Sequence, residues 1–262
     1  MPSTIRVIPT LLLKEWGIVK TVRFQEETYI GCPINAVRVF NANNVDELIL
    51  LDIQATQLGR IPLADVVSQI ADEALMPITV GGGLQKMEHI RELLRIGADK
   101  VTINTAACEN PAFIEEAAGK FGSQCIVVSI DVKQVRDGSH EVFCRRGSTA
   151  TGLDPVSHAV RMQELGAGEI LLNSIDQDGT WDGYELGLLR QVCDAVTIPV
   201  IACGGAGELQ HFSDAVTIGH ASAVSAGSFF LYHTKRRGIL INFPTREELQ
   251  CALGETSVRG VL

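Results

Sequence analysis

The two halves of the chain repeat short motifs at a nearly constant displacement, and this repeat constrains the fold more than any other feature. The run Ile49–Asp52 (ILLD) recurs as Ile170–Asn173 (ILLN), 121 residues later. Three further motifs recur 122 residues later. Gly82-Gly83 recurs as Gly204-Gly205, His89 as His211, and Ile96-Gly97 as Ile218-Gly219. Three marks in register predict a duplicated half, with equivalent strands after the two glycine pairs.

Short β-rich apolar runs alternate with amphipathic segments along the chain. Two of the segments, Val66–Ala74 and Lys86–Ile96, have helical periodicity. Such alternation indicates parallel strands joined by crossover helices. With 262 residues, close to the ~250 of a (β/α)8 barrel, and no linker-like segment, the sequence predicts one TIM barrel domain over residues 1–262. Its strands are expected at Arg6–Leu11, Leu48–Ile53, Ile78–Val80, Lys100–Ile103, Ile126–Ile130, Glu169–Leu172, Val200–Ala202 and Ser222–Ser225.

Composition narrows the function classes. The net charge of −9 argues against nucleic-acid or anionic-membrane binding, but local backbone sites can still bind a phosphorylated substrate. The chain has seven cysteines, and we expect them to be reduced, mostly buried thiols. Because it has no CxxC motif and no histidine cluster, we expect neither a metal nor a cofactor. Met1–Ile5 does not resemble a signal peptide, and no apolar run reaches the ~18 residues of a membrane span. These features predict a cytoplasmic protein.

The segment Val132–Gly152 is a long connection after the fifth predicted strand. It contains Asp137-Gly138 between extended runs, which predicts a hairpin. Such an insertion would lie on the C-terminal face of the barrel, where barrel enzymes carry their chemistry. An irregular surface loop is the alternative.

Two glycine-rich turns predict phosphate sites. Gly82 and Gly83 follow one strand, and Asn104-Thr105 ends the next; the second half offers Gly204-Gly205 and Ala226-Gly227 in the same places. Glycines let backbone N–H groups approach an anion closely. Each pair alone could be only a tight turn, but their recurrence favours two phosphates on one substrate.

Two carboxylates complete the expected site. Asp131 ends the fifth strand at the barrel mouth, where it could act as a general acid or base. Asp178 and Gly179 follow the sixth strand, where they could contact the substrate or only order a turn through side-chain to backbone bonds.

Long ordered motifs resemble one known family, the cyclase subunit of imidazole glycerol phosphate synthase. The resemblance extends from Arg6 to about Phe229, and the motifs that carry it are Arg6–Pro9, Asp46–Leu48 with Leu51-Asp52, Thr79–Gly83, Gly97–Val101, Ile103–Ala106, Ile130-Asp131, Gly166–Leu172, Ser174–Asp176, Asp178–Thr180 and Gly204–Gly207.

This resemblance implies a barrel docked on a glutaminase subunit through its N-terminal face. Ammonia made by that partner would pass through the barrel to a bisphosphorylated ribonucleotide at the C-terminal face. The family's gate at the barrel base corresponds here to Arg6, Glu47, Lys100 and Glu169. The alternative for these four residues is a buried ion cluster that only holds the barrel bottom.

One residue departs from the family pattern. The family uses two aspartates for acid–base work, and the second is Asp131, but the first position is Leu12. Leucine cannot transfer a proton, and such groups typically supply about 10²–10⁴ in rate. We therefore expect cyclase activity to be severely impaired, unless Asp52 or Thr79 replaces the missing group.

Further segments resemble a divergent branch of the family that accompanies lipopolysaccharide biosynthesis. These segments are Leu12–Lys14, Pro33–Arg38 and Leu240–Pro244. The branch is thought to cooperate with a glutaminase and a separate amidotransferase-like protein to form an acetamidino group on a nucleotide sugar. Lys235–Arg237 could contact the nucleotide diphosphate, form a docking surface or be a solvated loop. The alternatives to this branch are a working histidine-pathway cyclase and a non-catalytic scaffold that conducts ammonia and activates its glutaminase.

Overall fold

The computed structural model describes residues 5–235 and 238–254. Within them the strands are β1 (Arg6–Lys14), β2 (Gly17–Val22), β3 (Gln25–Gly31), β4 (Leu48–Asp52), β5 (Ile78–Gly81), β6 (Lys100–Ile103), β7 (Ile126–Gln134), β8 (His140–Cys144), β9 (Thr149–Ala150), β10 (Glu169–Ser174), β11 (Val200–Cys203) and β12 (Ala223–Ala226). The helices are α1 (Pro33–Ala42), α2 (Ala64–Glu73), α3 (Met87–Arg95), α4 (Thr105–Glu109), α5 (Ala112–Phe121), α6 (Pro155–Glu164), α7 (Leu186–Ala195), α8 (Leu209–Thr217), α9 (Ser228–Leu231) and α10 (Arg246–Leu253).

Eight parallel strands close into a barrel in the order β1, β4, β5, β6, β7, β10, β11, β12. The pairing of β7 with β10 runs from Val127 opposite Glu169 to Val132 opposite Ser174, and β12 pairs with β1 to complete the circle. The (β/α)8 prediction is confirmed. All eight predicted strands are present, although β1 and β7 extend three and four residues beyond their predicted ends because each continues into a hairpin.

Side chains alternate between the barrel lumen and the surrounding helices. On β1, Val7 and Leu11 join the large core beneath the helices, whereas Ile8 belongs to a separate cluster inside the barrel. That inner cluster is formed by Ile8, Ile49, Val127, Leu171, Ile201, Cys203 and Ala223, with Leu51 packed against it. The period of two along a strand therefore gives an apolar layer in the lumen and a second core outside it.

Two antiparallel hairpins extend from the carboxyl ends of barrel strands. The predicted one after β7 is present: β8 pairs with β7 and β9 with β8. The other, formed by β2 and β3 after β1, was not predicted. Its turn residues, Arg23 and Phe24, have φ values of 50° and 61°, which glycine or asparagine usually supplies. Both hairpins lie at the C-terminal face.

The half-barrel repeat is visible in the glycine turns. A Cβ on Gly82 would lie 2.6 Å from the carbonyl oxygen of Asp52, and a Cβ on Gly204 would lie 2.6 Å from that of Ser174. Asp52 and Ser174 are 122 residues apart, so the 121-residue displacement predicted for this strand is wrong by one. Because strand side chains alternate, the corrected register equates Glu47 with Glu169.

The cysteines differ from expectation. All seven are free thiols, but only Cys144 and Cys203 are buried, whereas Cys32 and Cys251 are exposed and the others are intermediate. The prediction of mostly buried thiols was therefore wrong. Among the described helices, none combines the length and the apolar character needed to cross a bilayer.

Candidate functional site

Two adjoining cavities open at the C-terminal mouth of the barrel. The large cavity contains the first glycine pair and the small cavity contains the second; Leu12, Phe24, Leu51 and Asn173 line both. Of the predicted residues, the large cavity brings together Leu12, Gly82, Gly83, Asn104, Thr105 and Asp131. The small cavity brings together Asp178, Gly179, Gly205, Ala226 and Gly227. The structure therefore brings these predicted residues together at one mouth, and their roles stay a prediction.

The glycine pair of the large cavity adopts backbone angles that other residues rarely take. Gly82 and Gly83 have φ values of 126° and 68°, and a Cβ on Gly83 would lie 1.8 Å from the carbonyl oxygen of Arg60. Neither position can carry a side chain without moving the backbone. The turn is therefore built for close approach, which is the geometry that a phosphate site requires.

The small cavity repeats this geometry. Gly204 and Gly205 have φ values of 89° and 111°, and a Cβ on Gly205 would lie 2.0 Å from the carbonyl oxygen of Gly183. Both turns also bind the histidine that follows them: Gln85 N donates to Nδ1 of His89, and Gly207 N donates to Nδ1 of His211. The two glycine turns are structural equivalents.

The side chains of Asn104 and Thr105 secure the hairpin after β7. Nδ2 of Asn104 donates to the carbonyl oxygen of Phe143 at 3.2 Å, and Oγ1 of Thr105 accepts from Arg145 N at 3.1 Å. Both residues still line the large cavity. Their side chains therefore position the hairpin beside the mouth, in addition to any contact with a ligand.

Asp178 binds the β2–β3 hairpin rather than pointing freely at the rim. Its Oδ1 accepts from Nζ of Lys20 at 2.6 Å, and its Oδ2 accepts from Oγ1 of Thr21 at 3.0 Å. Lys20 is buried and lines the small cavity beside Gly227. Sequence reasoning missed Lys20, because the hairpin that carries it was not predicted.

Asp131 is a buried carboxyl at the end of β7. It accepts a hydrogen bond from Oγ of Ser129 at 3.1 Å. Burial raises its pKa from 3.8 to about 7, while hydrogen bonds from Ser129 and Asn173 oppose this rise. A pKa near neutrality suits a group that both accepts and releases protons.

Two polar atoms lining the large cavity have no hydrogen-bond partner among the described residues. These are Oγ1 of Thr102 and Oδ1 of Asn173, both inaccessible to solvent. Buried polar atoms are normally paired, because an unpaired one costs roughly 1–3 kcal/mol. Both residues line the cavity that contains Asp131, so the wall of this cavity includes polar groups that the described residues leave unpaired.

Leu12 ends the lumen-facing row of β1 and lines the same cavity as Asp131. Of the two residues proposed to replace a missing aspartate, Asp52 lines this cavity but is already paired, and Thr79 lies at the other end of the barrel. Asp52 accepts from Gln54 N and Ala55 N and forms a 2.6 Å ion pair with Nη1 of Arg60. Thr79 donates to Oε1 of Glu47 at the far end of the barrel, which rules it out as a substitute.

Four charged residues form a closed ring at the N-terminal ends of the barrel strands. Arg6 contacts Glu47 at 2.5 Å and also contacts Glu169. Lys100 lies 3.0 Å from each of the same two carboxylates. Both glutamates are buried, and Thr79 donates to Glu47 at 2.8 Å. Each cation therefore bridges both carboxylates, and the ring, which we call the floor ring, spans the base of the lumen.

The model of the family described as "Histidine biosynthesis protein" matches residues 6–236, most of the chain. The chain belongs to this family. It is also 46% identical over 244 residues to a Pseudomonas aeruginosa protein, covering 93% of this chain and 97% of that protein, which is described as "Putative imidazole glycerol phosphate synthase subunit hisF2". The resemblance to the cyclase subunit is thus confirmed, and the chain is a barrel subunit of that type.

The family match ends at the basic loop that follows α9. Nζ of Lys235 forms an exposed 3.1 Å ion pair with Asp182, and Lys235 lines neither cavity of the mouth. Arg236 and Arg237 lie outside the described residues. A solvated loop accounts for what is described of Lys235.

Proposed function

We propose that this histidine-biosynthesis family member is the ammonia-using barrel subunit of a cytoplasmic glutamine-dependent synthase. We further propose that it helps to form an acetamidino group on a surface-polysaccharide nucleotide sugar. The observation that supports the acetamidino-sugar proposal is Leu12. It lies in the same cavity as Asp131, where the family's cyclase reaction needs a second carboxylate. The phosphates of the substrate would lie on Gly82, Gly83, Asn104 and Thr105 and on Gly205, Ala226 and Gly227.

The layered lumen supports a role in ammonia transfer. The floor ring consists of charges that neutralise one another, and the next layer, at Ile8, Ile49 and Leu171, is apolar. A cation such as ammonium would lose its hydration there, whereas neutral ammonia would lose far less. Arg6, Glu47, Lys100 and Glu169 would thus act as a gate. The polar atoms at the mouth would then receive the ammonia.

The N-terminal face is the side on which a glutaminase would dock. Leu75 and Ile218 follow helices and precede barrel strands, so they lie at this face, and both are exposed. Because the resemblance places the glutaminase at this face, we propose that these two exposed apolar side chains belong to the interface. We expect Leu75→Glu with Ile218→Glu to abolish the stimulation of glutamine hydrolysis by this chain. Leu58→Glu, which alters an exposed leucine beyond the carboxyl end of β4, is the matched control.

Two measurements test the assignment to the divergent branch. With saturating ammonium salt, we expect imidazole glycerol phosphate formation far below the ~10 s⁻¹ of a typical enzyme; turnover near that rate would refute the assignment. With glutamine, the glutaminase, the amidotransferase-like protein and a nucleoside triphosphate that activates the amide oxygen as a leaving group, mass spectrometry should detect replacement of the N-acetyl oxygen of the nucleotide sugar by nitrogen.

Asp131 distinguishes a participating subunit from a scaffold that only conducts ammonia. The pKa of Asp131, raised to about 7 by burial, favours a role in proton transfer. In the reconstituted complex, Asp131→Asn should lower product formation by about 10²–10⁴ if the carboxyl takes part. Unchanged product formation would favour the scaffold.

A further inference from the structure

Each cavity of the mouth contains one cationic side chain among the described residues that line it. In the small cavity this residue is Lys20, and in the large cavity it is Arg146. Each cation is paired with a carboxylate: Lys20 with Asp178 at 2.6 Å, and Nη2 of Arg146 with Glu27 at 2.6 Å. The two glycine turns are thus each accompanied by one paired cation.

The two cations are supplied by corresponding hairpins. Lys20 belongs to the hairpin after β1, and Arg146 to the hairpin after β7, and these two strands occupy opposite positions in the ring of eight. The hairpin of the first half therefore supplies Lys20 to the glycine turn of the second half. The hairpin of the second half supplies Arg146 to the glycine turn of the first. The half-barrel repeat thus extends to the two hairpins but not to the cations themselves, because a displacement of 122 residues places Val142 at the position of Lys20 and Arg146 at that of Phe24.

The backbone that carries Arg146 is held in an unfavourable conformation. Arg145, Arg146 and Gly147 have φ values of 52°, 60° and 70°, and the first two are not glycine. Arg145 is fixed by the hydrogen bond from its N–H to Thr105 and by a 2.6 Å ion pair with Glu109. Such strain persists only where surrounding contacts impose it, and it is common at binding sites. Here it directs Arg146 to the large cavity and Arg145 away from it.

Glu27, the ion-pair partner of Arg146, has a second cationic partner. Oε2 of Glu27 also accepts from Nζ of Lys14 at 2.5 Å. This bond, together with the contact to Arg146, holds the pKa of Glu27 below its usual range. If Arg146 turned toward a ligand, Glu27 would remain ionised and paired with Lys14. The exchange of partners would therefore leave no isolated charge.

Arg146 is the cationic side chain available to an anion in the large cavity, among the described residues that line it. The other ionisable groups that line the cavity are the carboxyls of Asp52 and Asp131, and Asp52 already pairs with Arg60. We propose that Arg146 binds the ligand phosphate held at Gly82 and Gly83, and that Glu27 is its partner only in the ligand-free protein. This inference rests on the proposed phosphate-bearing substrate, and it names the cation that recognises one of the two phosphates.

Calorimetric titration of the full chain with inorganic phosphate tests the proposal. We expect two sites in the unaltered protein. Arg146→Gln should weaken one of them by about ten- to a hundredfold, the usual effect of losing a hydrogen bond to a charged group, and should leave the other unchanged. Arg190→Gln is the control, because it makes the same substitution at an exposed arginine of α7 that lines neither cavity, and it should retain both sites.

Glu27→Gln separates ligand binding from a purely structural bridge between the hairpins. If Arg146 exchanges partners, releasing it should tighten phosphate binding, by up to about fivefold for an ion pair of this exposure. Equal weakening in Glu27→Gln and Arg146→Gln would overturn the proposal, as would two intact sites in Arg146→Gln. Absence of phosphate binding in the unaltered protein would instead count against the proposed phosphate-bearing substrate itself.

Discussion

Leu12 and Asp131 lie near the mouth on barrel strands that are opposite each other in the ring of eight, and both line the large cavity. They are the positions from which two acid–base groups could act on one substrate from either side. One position carries a carboxyl whose pKa is about 7, and the other carries a hydrocarbon. This asymmetry leads to the first prediction.

We expect Leu12→Asp to gain imidazole glycerol phosphate formation with ammonium salt, by about 10² or more over the unaltered protein. The new carboxyl would face Asp131 in a cavity that already holds unpaired polar atoms. Leu12→Asn is the control, because it adds polarity without an ionisable proton. Equal activity in both variants, or no gain in either, would show that the lost carboxyl is not what limits the reaction.

Asp131 should make the protein less stable as the pH rises. Burial raises its pKa from the ordinary 3.8 to about 7 in the folded protein, so its stabilising contribution is complete below about pH 3.8 and is lost as the pH rises through about 7. Relative to the unaltered protein, Asp131→Asn should therefore gain unfolding free energy between about pH 4 and pH 8. The gain should be a few kcal/mol, since one pKa unit corresponds to about 1.4 kcal/mol.

Urea unfolding at a series of pH values would measure this difference. Asp137→Asn serves as the control, because Asp137 lies exposed at a hairpin turn and hydrogen bonds from Ser139 lower its pKa. It should show no gain over the same pH range. A flat difference for Asp131→Asn would mean that its carboxyl is ionised throughout.

The free energy of unfolding should depend strongly on each carboxylate of the floor ring. Glu47 is buried and contacts Arg6, Lys100 and Thr79. Glu47→Gln should lower the unfolding free energy by roughly 3 kcal/mol, because it leaves partly buried cations underpaired. Glu73→Gln, which breaks the exposed Arg38–Glu73 pair on the outer helices, should change it little. In the complex, Glu47→Gln should also lower product formation from glutamine more than product formation from added ammonium.

Gly83→Ala should destabilise the protein and remove phosphate binding at the large cavity. A methyl group there would lie 1.8 Å from a carbonyl oxygen, at a φ of 68°, and overpacking alone costs about 1–3 kcal/mol. Gly119→Ala is the matched control, since that glycine lies within α5 with no atom within 4 Å of the added carbon. It should be neutral or stabilising by up to about 1 kcal/mol. Thermal unfolding and phosphate titration would decide both outcomes.

The sequence predicted those parts of the molecule that local periodicity and glycine placement determine. The eight barrel strands, both glycine turns and the hairpin at Asp137-Gly138 follow from such signals. The β2–β3 hairpin does not, because its turn is formed by Arg23 and Phe24 rather than by residues that favour positive φ. Because that hairpin was not predicted, the position of Lys20 at the small cavity could not be inferred. The hydrogen bonds from Lys20 and Thr21 to Asp178 could not be inferred either.

Contacts between distant segments account for the remaining differences. The roles of Asp52 and Thr79 became clear only when Arg60 and Glu47 were placed beside them. Likewise, the one-residue correction to the repeat followed from which carbonyl oxygens approach Gly82 and Gly204. These contacts and this register depend on which side of a strand faces the lumen, and sequence similarity between the two halves does not determine that.

The alternation of side chains along each strand has a consequence for how such a barrel can change its work. Position along the lumen separates the tasks: charges at the floor, hydrocarbon in the middle and polar groups at the mouth. On β1 these are Arg6, Ile8 and Leu12, each two or four residues from the next. A single exchange at Leu12 can therefore alter the groups at the mouth and leave the charged and apolar layers of the lumen unchanged.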